Sequence, residues 1–376
     1  MNKSRSVKIA AIVAAVSLAV IPAASATTWK AGGASSVNGL MTACAAAYQK
    51  ATGDDFPYNG TGSGAGKTGL HDGSFDFAFS DSVDTAPSAG EIHLPAFVWP
   101  VGFLQNIGGS NKPLTLSSTT LAKIFSGDIT RWNDPAIVAD NNRSVTTIVY
   151  KKTNGVVAKD AKGAPIVLRT QVTKINRTLP DKPITVFYRN AGSGTSNNLT
   201  RAFNKLAPSV WTKPANDLFS TAFPGNVAEN PAAFRAVSGS AGIALGVQQT
   251  PYSIGYAEIN FAAAPYKLSL VSVINPAGNA ITPSSDSAMA AAALATVAAD
   301  GTVTFNYTST DADQYPFTAT TYALASSKHP KAASIAKTLD YLATNCAKDN
   351  PTLGFATLTP TNAFAKAFDA QVAKLK

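Results

Sequence analysis

The run Arg189-Asn190-Ala191-Gly192-Ser193-Gly194-Thr195-Ser196 packs a guanidinium, hydroxyls and two glycines into a short turn. Such a set is chemically suited to an anion. An arginine fork grips oxyanions, and hydroxyls at a helix start add donors beside free backbone N–H groups. The flanking residues supply the setting: Ile184-Thr185-Val186-Phe187-Tyr188 reads as a strand, and Leu199, Phe203 and Leu206 recur at helical spacing. Strand, Gly/Ser turn and helix in that order make an anion cradle of Arg189, Ser193, Gly194 and Thr195. A simple capped turn with a surface arginine is the plainer alternative. The position of Arg189 straight after a strand favours the cradle.

A second stretch, Asn59-Gly60-Thr61-Gly62-Ser63-Gly64-Ala65-Gly66-Lys67-Thr68, resembles a nucleotide-binding loop in its letters. The register excludes that reading. A Walker loop needs a glycine five residues before its Gly-Lys pair, and Thr61 occupies that position. On this stretch alone a flexible Gly/Ser turn is the favoured reading; the helix expected after it makes Ser63 the group of interest, with Lys67 a solvated charge nearby.

Other elements bring further donors into play. Residues 37–50 form a helix with Leu40, Met41, Cys44 and Tyr48 on one face, and Ser35 and Ser36 precede it as cap residues. Residues 74–80 alternate Phe75, Phe77 and Phe79 with smaller or polar residues, a strand that ends at Asp81. In α/β folds ligands gather at the carboxyl ends of strands, which groups Ser35, Ser36, Ser63 and Asp81. Residues 121–125 and 332–343 read as amphipathic helices and 288–299 as an alanine-rich helix. Residues 265–283 and 302–311 read as strand or loop.

At the N-terminus Lys3, Arg5 and Lys8 precede an apolar run over residues 9–21, followed by Ala24-Ser25-Ala26. That layout predicts a signal peptide over residues 1–26, cleaved after Ala26, and an exported chain. Removing those residues leaves 350 with a formal charge of +6, enough for two domains. The lysines are dispersed, so nucleic acid is not expected. Export also argues against a nucleotide ligand. Cys44 and Cys346 are the only cysteines. In an oxidising compartment they suggest a disulfide, with two separate buried thiols as the alternative. His71, His93 and His329 lack metal-like spacing and read as surface or packing residues, so neither metal nor cofactor is expected.

Several stretches together resemble the periplasmic phosphate-binding proteins of phosphate ABC importers. They are residues 121–135, with Ile124-Phe125-Ser126-Gly127-Asp128-Ile129-Thr130-Arg131-Trp132-Asn133-Asp134, then residues 58–64, 75–81, 189–196 and 242–258. The resemblance implies an α/β fold of the two-lobed type II periplasmic binding class, each lobe a sheet flanked by helices, with the ligand in the cleft. Residues 27–100 and 259–376 would form one lobe and 101–258 the other. Phosphate would be held by Ser35, Ser36, Ser63 and Asp81 from the first lobe. Arg189, Ser193, Gly194 and Thr195 would act from the second, Gly194 through its N–H. Asp81 would select phosphate by accepting the proton that sulfate lacks. The chain departs from the family at Ala191, where an acid usually orients the arginine, and at Ser36, where an aromatic is common. Ser36 would therefore contribute its backbone N–H. The implied role is a monomeric, non-catalytic receptor for inorganic phosphate that serves a membrane permease. A phosphatase and a surface or adhesive protein with an altered site are the rival classes.

Overall fold

The computed structural model describes residues 26–107, 114–153, 156–174, 176–358 and 362–376. The expected signal sequence lies outside them, apart from Ala26. Among the described residues no helix is long and apolar enough to cross a membrane.

A mixed sheet, curled and flanked by helices, organises the chain. Its main path runs Phe234–Val237, Thr185–Arg189, Ser253–Glu258, Glu91–Asn106, Thr318–Ser326, Phe77–Ser80, Ala31–Gly33, Tyr58–Asn59. The two ends mirror each other. Ala31–Gly33 lies parallel to both Tyr58–Asn59 and Phe77–Ser80, and Thr185–Arg189 lies parallel to both Phe234–Val237 and Ser253–Glu258. Each trio is joined to the shared strand Glu91–Asn106 through antiparallel pairing, by way of Thr318–Ser326 on one side and directly on the other.

Two prolines sit in that shared strand, where a missing N–H would break a regular ladder. The irregularities of the sheet accommodate both. Pro95 faces Tyr322 where the register shifts, and Pro100 faces Thr318 at the last pair before Val101 turns to Glu258. The strand thus changes partners between Pro100 and Val101. Ser269–Ile274 pairs with Leu114–Ser117 and with Leu104 and Gln105, on the side of the second trio.

Helices follow the parallel strands as the sequence pattern requires. Asn38–Thr52 buries Leu40, Met41, Cys44 and Tyr48, the face expected from spacing. Ser63–His71 follows Tyr58–Asn59, and Gly194–Leu206 follows Thr185–Arg189. The last is capped by Ser193, whose hydroxyl accepts from the Ser196 N–H. Two expectations need correction. The alanine-rich helix spans Ser285–Ala292 rather than 288–299. A capping box at Ser284 and Ser287 starts it early, and β-branched Thr296 and Val297 leave it to pair with Val303–Thr304. The strand expected from residue 74 begins at Phe77.

Cys44 and Cys346 form a disulfide, with their Cα atoms 5.3 Å apart. The Tyr48 hydroxyl lies 2.8 Å from Thr338 Oγ1, so the first helix has a polar tie to Ala332–Tyr341 and a covalent one to Cys346 just beyond it. The crosslink closes a loop of 302 residues, and loops of that size strongly restrict an unfolded chain. Replacing both cysteines with serine is expected to lower unfolding stability by about 2–5 kcal/mol in urea titrations.

Candidate functional site

The six strands of the two parallel trios end at one seam, and each delivers a polar residue to it. Ala31–Gly33 leads to Ser35 and Ser36, Tyr58–Asn59 to Ser63, and Phe77–Ser80 to Asp81. From the opposite trio Thr185–Arg189 ends on Arg189 and leads to Ser193, Gly194 and Thr195. Phe234–Val237 leads to Ser240, and Ser253–Glu258 ends on Glu258. All these residues are buried or form the buried start of a helix.

Asp81 lies at the centre. Its Oδ1 accepts from Ser36 Oγ at 2.7 Å and from Thr321 Oγ1 at 2.6 Å, and its Oδ2 accepts from Thr195 Oγ1 at 3.3 Å. The Asp81 N–H donates to Ser63 Oγ at 3.0 Å, which leaves the Ser63 hydroxyl proton free to turn elsewhere. Ser193 Oγ is likewise an acceptor within its own chain segment. Ser35 Oγ stands 3.3 Å from Ser240 Oγ across the seam. Every residue of the expected ligand set is therefore brought to one place. Ser36 spends its hydroxyl on Asp81.

Two glycines permit the approach. At Gly194 a Cβ would stand 2.6 Å from Asp81 and 2.7 Å from Ser63 Oγ. Gly62 has φ +129°, and a Cβ there would stand 2.8 Å from the Gly192 carbonyl and 3.6 Å from Arg189 Nη2. Only glycine combines that backbone with that contact.

Arg189 is buried, with Nε and Nη2 lacking a hydrogen-bond partner in the protein. Its backbone N–H donates to the Tyr256 hydroxyl, which is 2.6 Å from Ser196 Oγ. Its charge is felt by Asp81 and Glu258. Burial raises the Asp81 carboxyl to about 6, even though hydrogen bonds from Thr321 and Ser36 and the Arg189 charge pull it down. Burial, then the Asp81 charge, raises Glu258 to about 7. Glu258 Oε1 accepts from Thr195 Oγ1 at 3.5 Å, and Oε2 has no hydrogen-bond partner. A buried cation with free donors beside two reluctant carboxylates is chemically suited to a protonated oxyanion.

Lys67 corrects an expectation. It is no solvated charge: Nζ is 2.9 Å from Asp217 Oδ2 and donates to Ser82 Oγ at 2.8 Å and to the Val83 carbonyl at 3.1 Å. Asp217 also accepts from Asn197 Nδ2 and, through its carbonyl, from the Ser193 N–H. The ion pair thus ties the two sides of the seam, as does the Gly64 N–H bond to the Gly192 carbonyl at 3.2 Å.

Sequence reasoning missed Ser240, Glu258, Thr321 and Asp217. A signal for Ser240 was present, since Ser238-Gly239-Ser240 repeats the strand, Gly/Ser turn and helix pattern found at Arg189. Thr321 lies inside a strand and carries no local cue.

Comparison with known proteins gives the family. Residues 20–345 match the PBP superfamily domain. The phosphate-binding protein PstS of Xylella fastidiosa (strain 9a5c) is 30% identical over 318 residues, covering 82% of this chain and 74% of that protein. PstS 2 of Mycobacterium tuberculosis is 30% identical over 296 residues, covering 74% and 67% respectively. Among solved structures, the phosphate-binding protein from Stenotrophomonas maltophilia aligns with a TM-score of 0.63 at 20% identity, covering 92% of this chain and 94% of that one. The chain belongs to the PBP superfamily and, within it, to the family of the PstS phosphate-binding proteins. Its fold is the two-lobed one of these neighbours.

The raised carboxyls fix a pH dependence. Both acids bind protons more tightly in the folded chain than in the unfolded one, so their protonation favours the fold. That contribution is complete near pH 4 and is lost as pH rises through about 6 for Asp81 and about 7 for Glu258. In ligand-stripped protein the loss is on the order of 3 kcal/mol for each group taken alone. Glu258→Gln is expected to flatten the stability profile between pH 5 and 8 in denaturant titrations.

Proposed function

We propose that this chain is an exported receptor that captures inorganic phosphate between two lobes and passes it to the membrane permease of an ABC importer. The observation that carries the reading is Arg189, buried with two unpartnered nitrogens, beside the raised carboxyl of Asp81. Phosphate near neutral pH offers both the negative oxygens that Arg189 needs and a proton for Asp81. Sulfate offers only the oxygens. The names of the relatives, phosphate-binding proteins, support the same ligand.

Phosphate would receive donors from Arg189, from the hydroxyls of Ser35, Ser63 and Ser193, and from the first amides of the helix Gly194–Leu206. Each charge-assisted bond contributes about 1.5–3 kcal/mol. Thr195 would divide its hydroxyl between the anion and the two acids. Ser36 would act through its backbone N–H, its side chain being committed to Asp81. Binding rather than turnover is the proposed task. Among the described residues, none of the hydroxyls at the seam is hydrogen-bonded to a histidine that could activate it as a nucleophile.

We assign residues 27–100 and 259–376 to one lobe and 101–258 to the other, with Ser269–Ile274 lying against the second. The change of partners at Val101 supports the first boundary. The chain acts as a monomer, in the periplasm or secreted, after cleavage behind Ala26.

Calorimetric titration of stripped protein with phosphate, sulfate and arsenate tests the ligand. Phosphate and arsenate are expected to bind and sulfate to bind on the order of ten-thousand-fold more weakly, while Asp81→Asn collapses that difference. Absence of phosphate binding overturns the reading. Selectivity that survives Asp81→Asn removes the carboxylate's role.

The Lys67–Asp217 pair makes a separate demand. It holds the seam closed without facing the anion, so Lys67→Ala is expected to weaken phosphate about tenfold and leave the phosphate-to-sulfate ratio unchanged. A changed ratio would show that Lys67 reaches the ligand.

A further inference from the structure

Away from the seam, three side chains converge that the phosphate site does not use. His71 ends the helix Ser63–His71, Glu91 begins the shared strand, and Asp84 lies in the loop between Phe77–Ser80 and that strand. His71 Nε2 is 2.8 Å from Asp84 Oδ2 and 3.1 Å from Glu91 Oε2. One ligand atom from each of the three lies within 4.8 Å of the others.

The two carboxylates are unusual in their burial. The Asp84 side chain is 7% exposed and that of Glu91 is 0%, whereas His71 is 34% exposed. Asp84 Oδ2 and Glu91 Oε1 are buried without a hydrogen bond. Two buried negative charges demand a positive one, which His71, in contact with both, supplies only while protonated. His93 cannot supply it, because its Nε2 accepts the Asp84 N–H at 2.9 Å and its ring proton is therefore on Nδ1. Lys67 is engaged by Asp217.

We propose that His71, Asp84 and Glu91 bind one divalent transition-metal cation of the zinc class, with solvent completing its coordination on the exposed side of His71. One imidazole nitrogen and two carboxylate oxygens form a donor set that zinc accepts, whereas magnesium prefers oxygen alone and several waters. Ligand atoms around a tetrahedral zinc stand ~3.4 Å apart, so the contacts of His71 open by a few tenths of an ångström to admit the ion. His71 exchanges its ion pairs for a bond to the metal, and Asp84 Oδ2 exchanges its contact with His71 for the cation. Sequence spacing hid the cluster, because the histidines were compared with one another and with the cysteines rather than with distant acids.

The site has a structural consequence. It pins the far end of the helix whose first residue is Ser63, together with the loop that leaves Asp81. The metal would therefore brace one wall of the seam without touching the anion.

The test uses tag-free mature protein, stripped with chelator and kept in phosphate-free buffer. Zinc chloride is titrated by calorimetry, and retained metal is counted after dialysis. The expected result is about one zinc per chain for the native protein and for His329→Ala, whose histidine pairs with Asp76 elsewhere. His71→Ala, at a partly exposed helix end, is expected to lose at least tenfold in zinc affinity, and Asp84→Asn likewise. Cobalt loading should give the intense visible bands of a low-coordinate site in the native protein and not in His71→Ala. No stoichiometric zinc, or native-like binding and spectra in His71→Ala, overturns the proposal and leaves His71 as an ion-pair partner only. Because Asp84→Asn removes a buried group, His71→Ala decides the matter if the former does not fold.

Discussion

A buried carboxylate sets the terms for everything around it. Asp81 sits at a strand end where both trios of strands converge, and burial makes its charge costly. The chain answers with hydroxyls rather than with a direct ion pair. Ser36 comes from the first helix start, Thr321 from the antiparallel strand and Thr195 from the opposite side of the seam. A lysine in direct contact would cancel the carboxylate and hold its pKa low. Neutral donors keep the acid poised near 6. The same choice frees Arg189 from Asp81, so the guanidinium keeps unpartnered nitrogens.

The missing acid at position 191 takes on a different meaning in this setting. Ala191 is exposed, whereas Arg189 is buried. The charges that bear on Arg189 are instead interior, from Asp81 and Glu258. Glu258 makes no hydrogen bond to the guanidinium and so biases it without capturing it. The counter-charges acting on the arginine in this chain are thus interior ones.

Much of this was legible in the chain, and what was not has a physical explanation. The face Leu40, Met41, Cys44 and Tyr48 was read from helical period, because one buried stripe must recur at that spacing. Strand-to-helix turns announced Ser35, Ser63, Asp81 and Arg189, because strand ends and free amides are local features. Thr321 and Asp217 reach the site through pairing across hundreds of residues, or across a seam, and nothing beside them in sequence records it. Lys67 shows the limit well. It reads locally as a solvated charge, yet its partner Asp217 lies 150 residues away. The Ala-rich helix ended early because β-branched residues found a strand partner, a tertiary preference that overrides local propensity.

The division of polar and apolar contacts decides how such a molecule can open. On the site side the two trios meet through hydroxyls, one ion pair and a backbone bond, all of which water can replace at small net cost. Around the shared strand the contacts are aromatic instead. Phe103 packs at 4.9 Å from Phe317 and 6.3 Å from Phe203, and Phe203 lies 5.3 Å from Phe317. Separating those rings would expose apolar area at about 25 cal/mol per Å² and is strongly opposed. Parting the two trios is therefore easier along the polar seam than across these rings. Pro100, which lacks an N–H to bind a neighbour, stands where the strand passes from the ladder with Thr318–Ser326 to the ladder with Ser253–Glu258. The same continuous strand that joins the two trios thus carries the change of ladder.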